Sequence, residues 1–133
     1  MQVSKVNCNR VMLGASRWTV PREYFDSLYN YLVYGFEPGS FWSAVLANDF
    51  MNAIQHSHPA NTIEALKHAT GWIRDTFPQG SYGDRRSVEY WVKMDPAERR
   101  LTLEHHRILL TEQEEVMAIL KGEHARTPEP VLW

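Results

Sequence analysis

Apolar residues recur along most of the chain at the three- and four-residue spacing of an amphipathic helix. The first such stretch follows Pro21, which suits an initial helical turn because its missing N–H would have no partner there. We predict a first helix over residues 22–34, ended by Gly35. A second helix is predicted from Ser40, whose hydroxyl can cap it, to the proline-containing turn at residues 56–59.

Two further helices are marked by capping residues at their starts. The third has Asn61 or Thr62 as its cap and ends at Pro78. A loop with two glycines follows, and Asp84 can then cap a short fourth helix that ends near Met94.

The last predicted helix is the longest. Asp95 and Pro96 form a strong start, and Gly122 is the residue that stops it. Residues 95–121 would span about 39 Å, which is more than a small globule needs. A helix with apolar residues at both ends must bury them, so we expect it to cross the bundle or to pair with its copy in a homodimer.

The two ends of the chain differ from the middle. Residues 1–20 combine short alternation with a short apolar run and predict an extended arm or a hairpin. The predicted fold is therefore mainly α: a compact helical bundle with a short N-terminal extended arm or hairpin and a long C-terminal helix. The predicted single domain, residues 1–133, divides into the arm (1–20), a helical core (22–94), the long helix (95–121) and a tail (122–133).

Composition and charge narrow the classes of function. With 44% hydrophobic and 23% charged residues, the 133-residue chain is typical of one globular domain. A formal net charge of −2 argues against a nucleic-acid partner, which requires a broad basic face. The single cysteine, Cys8, excludes an intrachain disulfide and favours the cytoplasm. Because the chain shows neither a membrane-length apolar run nor a signal-peptide core, we expect no membrane partner and no export.

Two places in the sequence suit an anion. At Gly39 and Ser40, a glycine allows close backbone approach, and the following helix start points unpaired N–H groups outward. Gly83 lies in a second flexible turn before a helix, where Arg85 and Arg86 can each hold an anion through two hydrogen bonds. The alternatives are a simple structural cap at the first place and a solvated loop at the second.

Other polar residues raise further chemical alternatives. Asp49 lies among apolar neighbours, either as a catalytic carboxylate with a raised pKa or as a cap or partner of an arginine. His56 and His58 would need a third ligand to hold zinc, and the alternative is surface histidines. The adjacent His105 and His106 diverge by about 100° on a helix and cannot both bind one ion. Because no metal-ligand set, nucleophile motif or phosphate-loop signature is present, we expect no catalytic residue, metal or cofactor.

Aromatic residues on the first helix indicate a protein contact. Tyr29, Tyr31 and Tyr34 occupy different faces of this helix and cannot all be buried in one direction. At least one should be exposed or lie at an interface, and Trp133 in the tail is a further interface candidate.

One cluster of residues carries a resemblance. The segments Pro38-Gly39-Ser40-Phe41, Ala44-Val45-Leu46 and Asn48-Asp49 are similar to those of small proteins of unknown function encoded by tailed phages and prophages. The similarity extends over roughly residues 19–93. It implies a phage or prophage origin and an accessory gene product in the host cytoplasm, and it supplies no catalytic residues.

We therefore expect a non-catalytic phage-type accessory protein that binds a host macromolecule, most simply a protein, and so modulates host metabolism or defence. The alternative is a protein that sequesters a small nucleotide-like anion at helix N-termini. An enzyme that uses Asp49 or the histidines is a third hypothesis. The predicted ligand-binding residues are Gly39, Ser40, Asp49, Gly83, Arg85 and Arg86, and the predicted interface residues are Tyr29, Tyr31, Tyr34 and Trp133.

Overall fold

Helices account for most of residues 10–120, the range that the computed structural model describes. Its eight α-helices are α1 (Arg10–Trp18), α2 (Arg22–Tyr34), α3 (Gly39–Leu46), α4 (Phe50–His56), α5 (Ile63–Thr76), α6 (Arg85–Lys93), α7 (Pro96–His105) and α8 (Glu112–Leu120). A 3-10 turn at Gln79–Ser81 precedes α6. The prediction of a mainly α, compact helical bundle is confirmed.

Two buried tryptophans, Trp72 of α5 and Trp91 of α6, join these helices to α1 and α2. Phe25 of α2 stacks on Trp72 of α5, with ring centroids 5.5 Å apart. The Trp72 indole N–H donates to the carbonyl of Val11 at 3.0 Å. The Trp91 indole N–H donates to the carbonyl of Leu32 at 2.9 Å. Because a buried indole needs such a partner, these bonds hold α1 against α5 and α6 against α2.

The capping residues place most helix starts as predicted. α2 has the predicted bounds and ends at Gly35, whose φ is 72°. The side chains of Thr62, Asp84 and Asp95 accept backbone N–H groups at the starts of α5, α6 and α7. These signals are local, which is why the sequence alone reveals them.

The predicted N-terminal extended arm or hairpin is wrong over residues 10–18, which form α1. Val11 and Ala15 lie one helical turn apart, and both are buried as α1 packs on α5. Gly14 allows this close approach, because a methyl group there would overlap side chains of α5. The four-residue spacing of Val11 and Ala15 is itself helical, and the packing of α1 on α5 buries both. Residues 1–9 lie outside the described residues.

The predicted second helix is in fact two helices, α3 and α4. Asn48, between them, has a φ of 60°, a left-handed conformation that asparagine tolerates better than most residues. Asp49 then caps α4. The apolar stripe continues across the break, so periodicity alone does not reveal it.

The predicted long C-terminal helix is also wrong, because α7 and α8 are separate. Arg107 turns the chain with a φ of 62°, and the two residues after it, Ile108 and Leu109, are both buried. Adjacent residues on a helix diverge by about 100°, so an unbroken helix would not bury both in one direction. Thr111 and Glu114 then exchange hydrogen bonds in a capping box that starts α8.

Candidate binding site

A cleft of about 670 Å³ lies between the start of α3 and one face of α6. Among its lining residues are Glu37, Gly39, Ser40, Arg85, Glu89 and Lys93. The fold thus combines the first predicted anion site with one arginine of the second. We refer to this space as the cleft.

The start of α3 is more open than the sequence indicates. Pro38 occupies the N-cap position, so Ser40 lies inside the first turn and is not the predicted cap. Gly39 has a φ of 88°, and no described atom lies within 4 Å of the place that a Cβ would take. The backbone is therefore accessible from the cleft at this point.

One local and one tertiary hydrogen bond position Arg85 at the other side of the cleft. Asp84 accepts a hydrogen bond from the backbone N–H of Ser87 at 2.7 Å, which starts α6. The backbone N–H of Gly83 donates to the carbonyl of Leu46 at 2.7 Å, which ties the start of α6 to the end of α3. Arg85 is the first residue after this anchor, so its side chain can reach across to α4.

Asp49, at the helix break, does not itself line the cleft but binds Arg85, which does. Its carboxylate accepts hydrogen bonds from the backbone N–H of Asn52 at 3.4 Å and from the amide side chain of Asn52 at 2.7 Å. Arg85 donates to the same carboxylate at 2.9 Å. Hydrogen bonding from Asn52, and then from Arg85, lowers the pKa of Asp49. This direction is opposite to the raised pKa that the catalytic hypothesis requires, and the structure shows Asp49 as a cap and an arginine partner.

The cleft carries charges of both signs. Arg85 and Lys93 supply positive charge, whereas Glu37 and Glu89 supply negative charge. A bare anion would meet repulsion from the glutamates as well as attraction from the cations. The cleft therefore suits a polar protein surface with mixed charge better than it suits a lone anion.

The structure does not bring every predicted ligand-binding residue to the cleft. Arg86 is exposed on α6 and is not among the residues that line the cleft. Gly83 has a φ of 120° and lines a smaller depression beside Leu46 and Tyr82. The second predicted anion site is therefore divided, with Arg85 alone directed to the cleft.

The three tyrosines of α2 have different environments. Tyr29 and Tyr31 belong to the core, and the Tyr31 hydroxyl donates to the buried carbonyl of Ser81 at 2.5 Å. This burial removes both from the predicted interface. Tyr34, by contrast, is 55% exposed and contacts Phe36, which is 61% exposed, with ring centroids 5.9 Å apart.

Tyr34 and Phe36, which we call the aromatic pair, lead directly into the cleft. The next two residues of the chain, Glu37 and Pro38, line it. The helical pattern does not indicate Phe36, because this residue lies in a turn outside that pattern, although a large aromatic residue in an otherwise polar turn is itself a signal. The other predicted interface residue, Trp133, lies outside the described residues.

The histidines do not form a metal site in the part of the chain that the structure describes. His56 lines the cleft, whereas the Nδ1 of His58 accepts the backbone N–H of Ala60 at 3.0 Å. Within residues 10–120, no group of three or more His, Cys, Asp and Glu side chains is placed to hold a metal ion. None of the helices in this range is long and apolar enough to cross a membrane.

Comparisons with known proteins add no assignment. None of the protein-family models, curated proteins or solved structures compared with this chain matches it significantly. The resemblance to phage proteins therefore stays a prediction.

Proposed function

We propose that this chain is a non-catalytic phage-type accessory protein that binds a host protein through the aromatic pair and the adjoining cleft. The single observation that carries the proposal is the exposure of the aromatic pair, which directly precedes the cleft-lining residues Glu37 and Pro38 in the chain. Modulation of host metabolism or defence would be the consequence of that binding.

The chemistry of this surface is that of protein interfaces. Aromatic residues and arginine are enriched at the centres of interfaces, where a few of them supply most of the binding energy. Contiguous exposed apolar surface is typical of protein interaction sites, and the rings of Tyr34 and Phe36 contact each other on the surface. A partner that buried Tyr34 and Phe36 would bring its own charged groups against Arg85 and the other charges of the cleft.

The test is affinity purification from a bacterial extract with quantitative mass spectrometry. The baits are the wild-type chain, a Tyr34→Ala/Phe36→Ala double variant, and Tyr90→Ala as the control. Tyr90 is 59% exposed on α6 and is not among the residues that line the cleft. We expect a protein that the wild type and the control retain equally and that the double variant loses by about tenfold or more.

The outcome is interpreted only for baits that remain folded, as judged by their melting curves. Identical retained proteins for all three baits, or none that depends on the aromatic pair, would overturn the proposal.

The second candidate function is sequestration of a small nucleotide-like anion. It is favoured by the convergence of Arg85, Lys93 and the open backbone at Gly39 in a cleft whose volume lies in the usual range for small-molecule sites. We rank it lower because Arg85 already pairs with Asp49 and two glutamates share the cleft.

This candidate is tested by calorimetric titration with ATP and with inorganic phosphate. Arg85→Ala should abolish binding, whereas Arg86→Ala should leave it unchanged because Arg86 lies outside the cleft lining. No heat of binding with the wild-type chain, or equal binding by both variants, would exclude the anion site.

A further inference from the structure

A second surface lies on a different face of α3 and α4, where α5 completes an apolar groove of about 440 Å³. Each helix contributes residues at the three- and four-residue spacing of a single helical face. α4 contributes Phe50, Ala53 and Ile54, and α5 contributes Ile63, Leu66 and Lys67. We call this surface the groove.

The groove is open to water although it is largely apolar. Phe50 is 72% exposed and Ile63 is 79% exposed. In a four-helix bundle, a groove between three helices is filled by the apolar face of the fourth helix. The occupant should therefore be a helix with an apolar stripe.

The same chain carries such a helix. α8 exposes Val116, Met117 and Leu120, which lie on one side of it within about 100° of each other. We call these residues the stripe. Because they are exposed in the folded chain, α8 does not fill the groove of its own molecule.

The lengths of the two surfaces match. The groove-lining residues extend from Phe50, the first residue of α4, to Ser57, which directly follows this helix of about 10 Å. α8 has nine residues, from Glu112 to Leu120, and is about 13 Å long.

Their charges are also complementary. Of the described side chains that line the groove, Asp49 and Lys67 carry charge, and Asp49 is already held by Asn52 and Arg85. Lys67 is exposed, and within residues 10–120 its ammonium group has no ion pair. Glu112 is exposed one helical turn before Val116, where it can meet Lys67 as the stripe enters the groove.

We infer that the chain forms a twofold symmetric homodimer in which α8 of each copy lies in the groove of the other. One short helix in one groove makes a small contact, but twofold symmetry forms the contact twice and covers both apolar surfaces of each copy. The sequence predicted a homodimer through pairing of one long helix with its copy. Because that helix is divided into α7 and α8, the homodimer inferred here instead uses α8 and the groove.

The first test measures the oligomeric state by sedimentation velocity over a range of concentrations. Ile63→Glu places a charge in the groove and Leu120→Glu places one in the stripe. Both residues are exposed, 79% and 76% respectively, so the fold of the single chain tolerates the change. Each variant should weaken dimerisation by about tenfold or more, whereas Tyr90→Glu on α6 should not.

The second test mixes the two weakened variants. In a mixed dimer, the changed groove of one copy meets the changed stripe of the other, and the second contact joins an unchanged groove to an unchanged stripe. The mixture should therefore dimerise more tightly than either variant alone. A dimer that uses any other surface would show no such recovery.

A third test measures how dimerisation depends on the charges of Lys67 and Glu112. Lys67→Glu should weaken the dimer, and adding Glu112→Lys to the same chain should restore it, because the pair is then reversed in both contacts. A wild-type chain that stays monomeric up to millimolar concentration would overturn the inference, as would full dimerisation of both the Ile63→Glu and Leu120→Glu variants. The groove and the aromatic pair are different surfaces. Failure of the dimer would therefore not decide whether the aromatic pair binds a host protein, and the affinity purification tests that separately.

Discussion

Arg99→Met should destabilise the fold strongly, because Arg99 is a buried cation that satisfies the carbonyl end of another helix. Its side chain is 2% exposed, and its guanidinium donates to the carbonyls of Trp91, Val92 and Met94 over distances of 2.7 to 3.3 Å. Carbonyls at a helix end lack the full set of intrahelical partners and carry the negative end of the helix dipole. Methionine keeps much of the volume of the stem but supplies no donor.

The size of the effect follows from these contacts. The buried Trp91 carbonyl would lose its charged donor and keep only the 3.3 Å hydrogen bond from the Met94 N–H, at a cost of about 1–3 kcal/mol. The carbonyls of Val92 and Met94 are partly within reach of water, so their loss should add only about 1 kcal/mol together. We expect the free energy of unfolding to fall by about 3 kcal/mol, a large share of the roughly 5–15 kcal/mol of a typical domain. The melting temperature should fall by about 10 °C.

The assay is urea unfolding followed by circular dichroism, with the slope of the transition unchanged if only stability is altered. Arg74→Met is the matched control, since Arg74 is exposed in the last turn of α5, and its effect should lie within about 0.5 kcal/mol. A loss below about 1 kcal/mol for Arg99→Met would refute the reasoning, because it would mean that water replaces the guanidinium at the end of α6.

Three further predictions concern residues that stabilise helix ends and the core. Gly35→Ala should reduce stability by about 2 kcal/mol, because Gly35 has a positive φ and a methyl group would overlap the Arg99 guanidinium; combining it with Arg99→Met should give less than the sum of both losses in urea unfolding. Tyr31→Phe should reduce stability by about 1–3 kcal/mol in the same assay, because the buried carbonyl of Ser81 loses its donor. A hydrogen bond from the backbone N–H of Ser87 lowers the pKa of Asp84, so the stabilisation by this carboxylate is complete above its ordinary pKa of 3.8 and is lost as the pH falls through the lowered pKa. The free energy of unfolding of Asp84→Asn should therefore change less on acidification than that of the wild type. An equal change in both proteins would contradict this prediction.

Local signals explain what the sequence could predict about the fold. Pro21 and Gly35 bound α2, and Asp84 starts α6, because caps, prolines and glycines act within a few residues of the backbone that they control. The helix breaks at Asn48 and Arg107 are less visible, because the apolar spacing continues through both and only the tolerance of asparagine for a left-handed conformation marks the first. Both residues have left-handed backbone conformations that burial of neighbouring side chains has to compensate.

The candidate site could be predicted only in part, because local signals identify residue types but not which residues meet in the folded chain. The residue types that suit a polar ligand, Ser40 and Arg85, are visible in the sequence, but their convergence in one cleft is a tertiary result. Arg85 meets Asp49 across 36 positions of sequence, and no spacing rule indicates that contact. Phe36 was missed because helical periodicity assigns no role to a residue in a turn.

The break between α3 and α4 determines where the candidate site can form. Ser40 and His56 both line the cleft, whereas an unbroken helix over residues 40–56 would hold them about 24 Å apart. The turn at residues 47–49 brings the two helices together, and Asp49 fixes the turn by capping α4 and by binding Arg85 of α6. The cleft on one face of this helix pair and the groove on another thus depend on the same carboxylate. Asp49 is therefore best understood as the residue that positions both surfaces, rather than as a catalytic group.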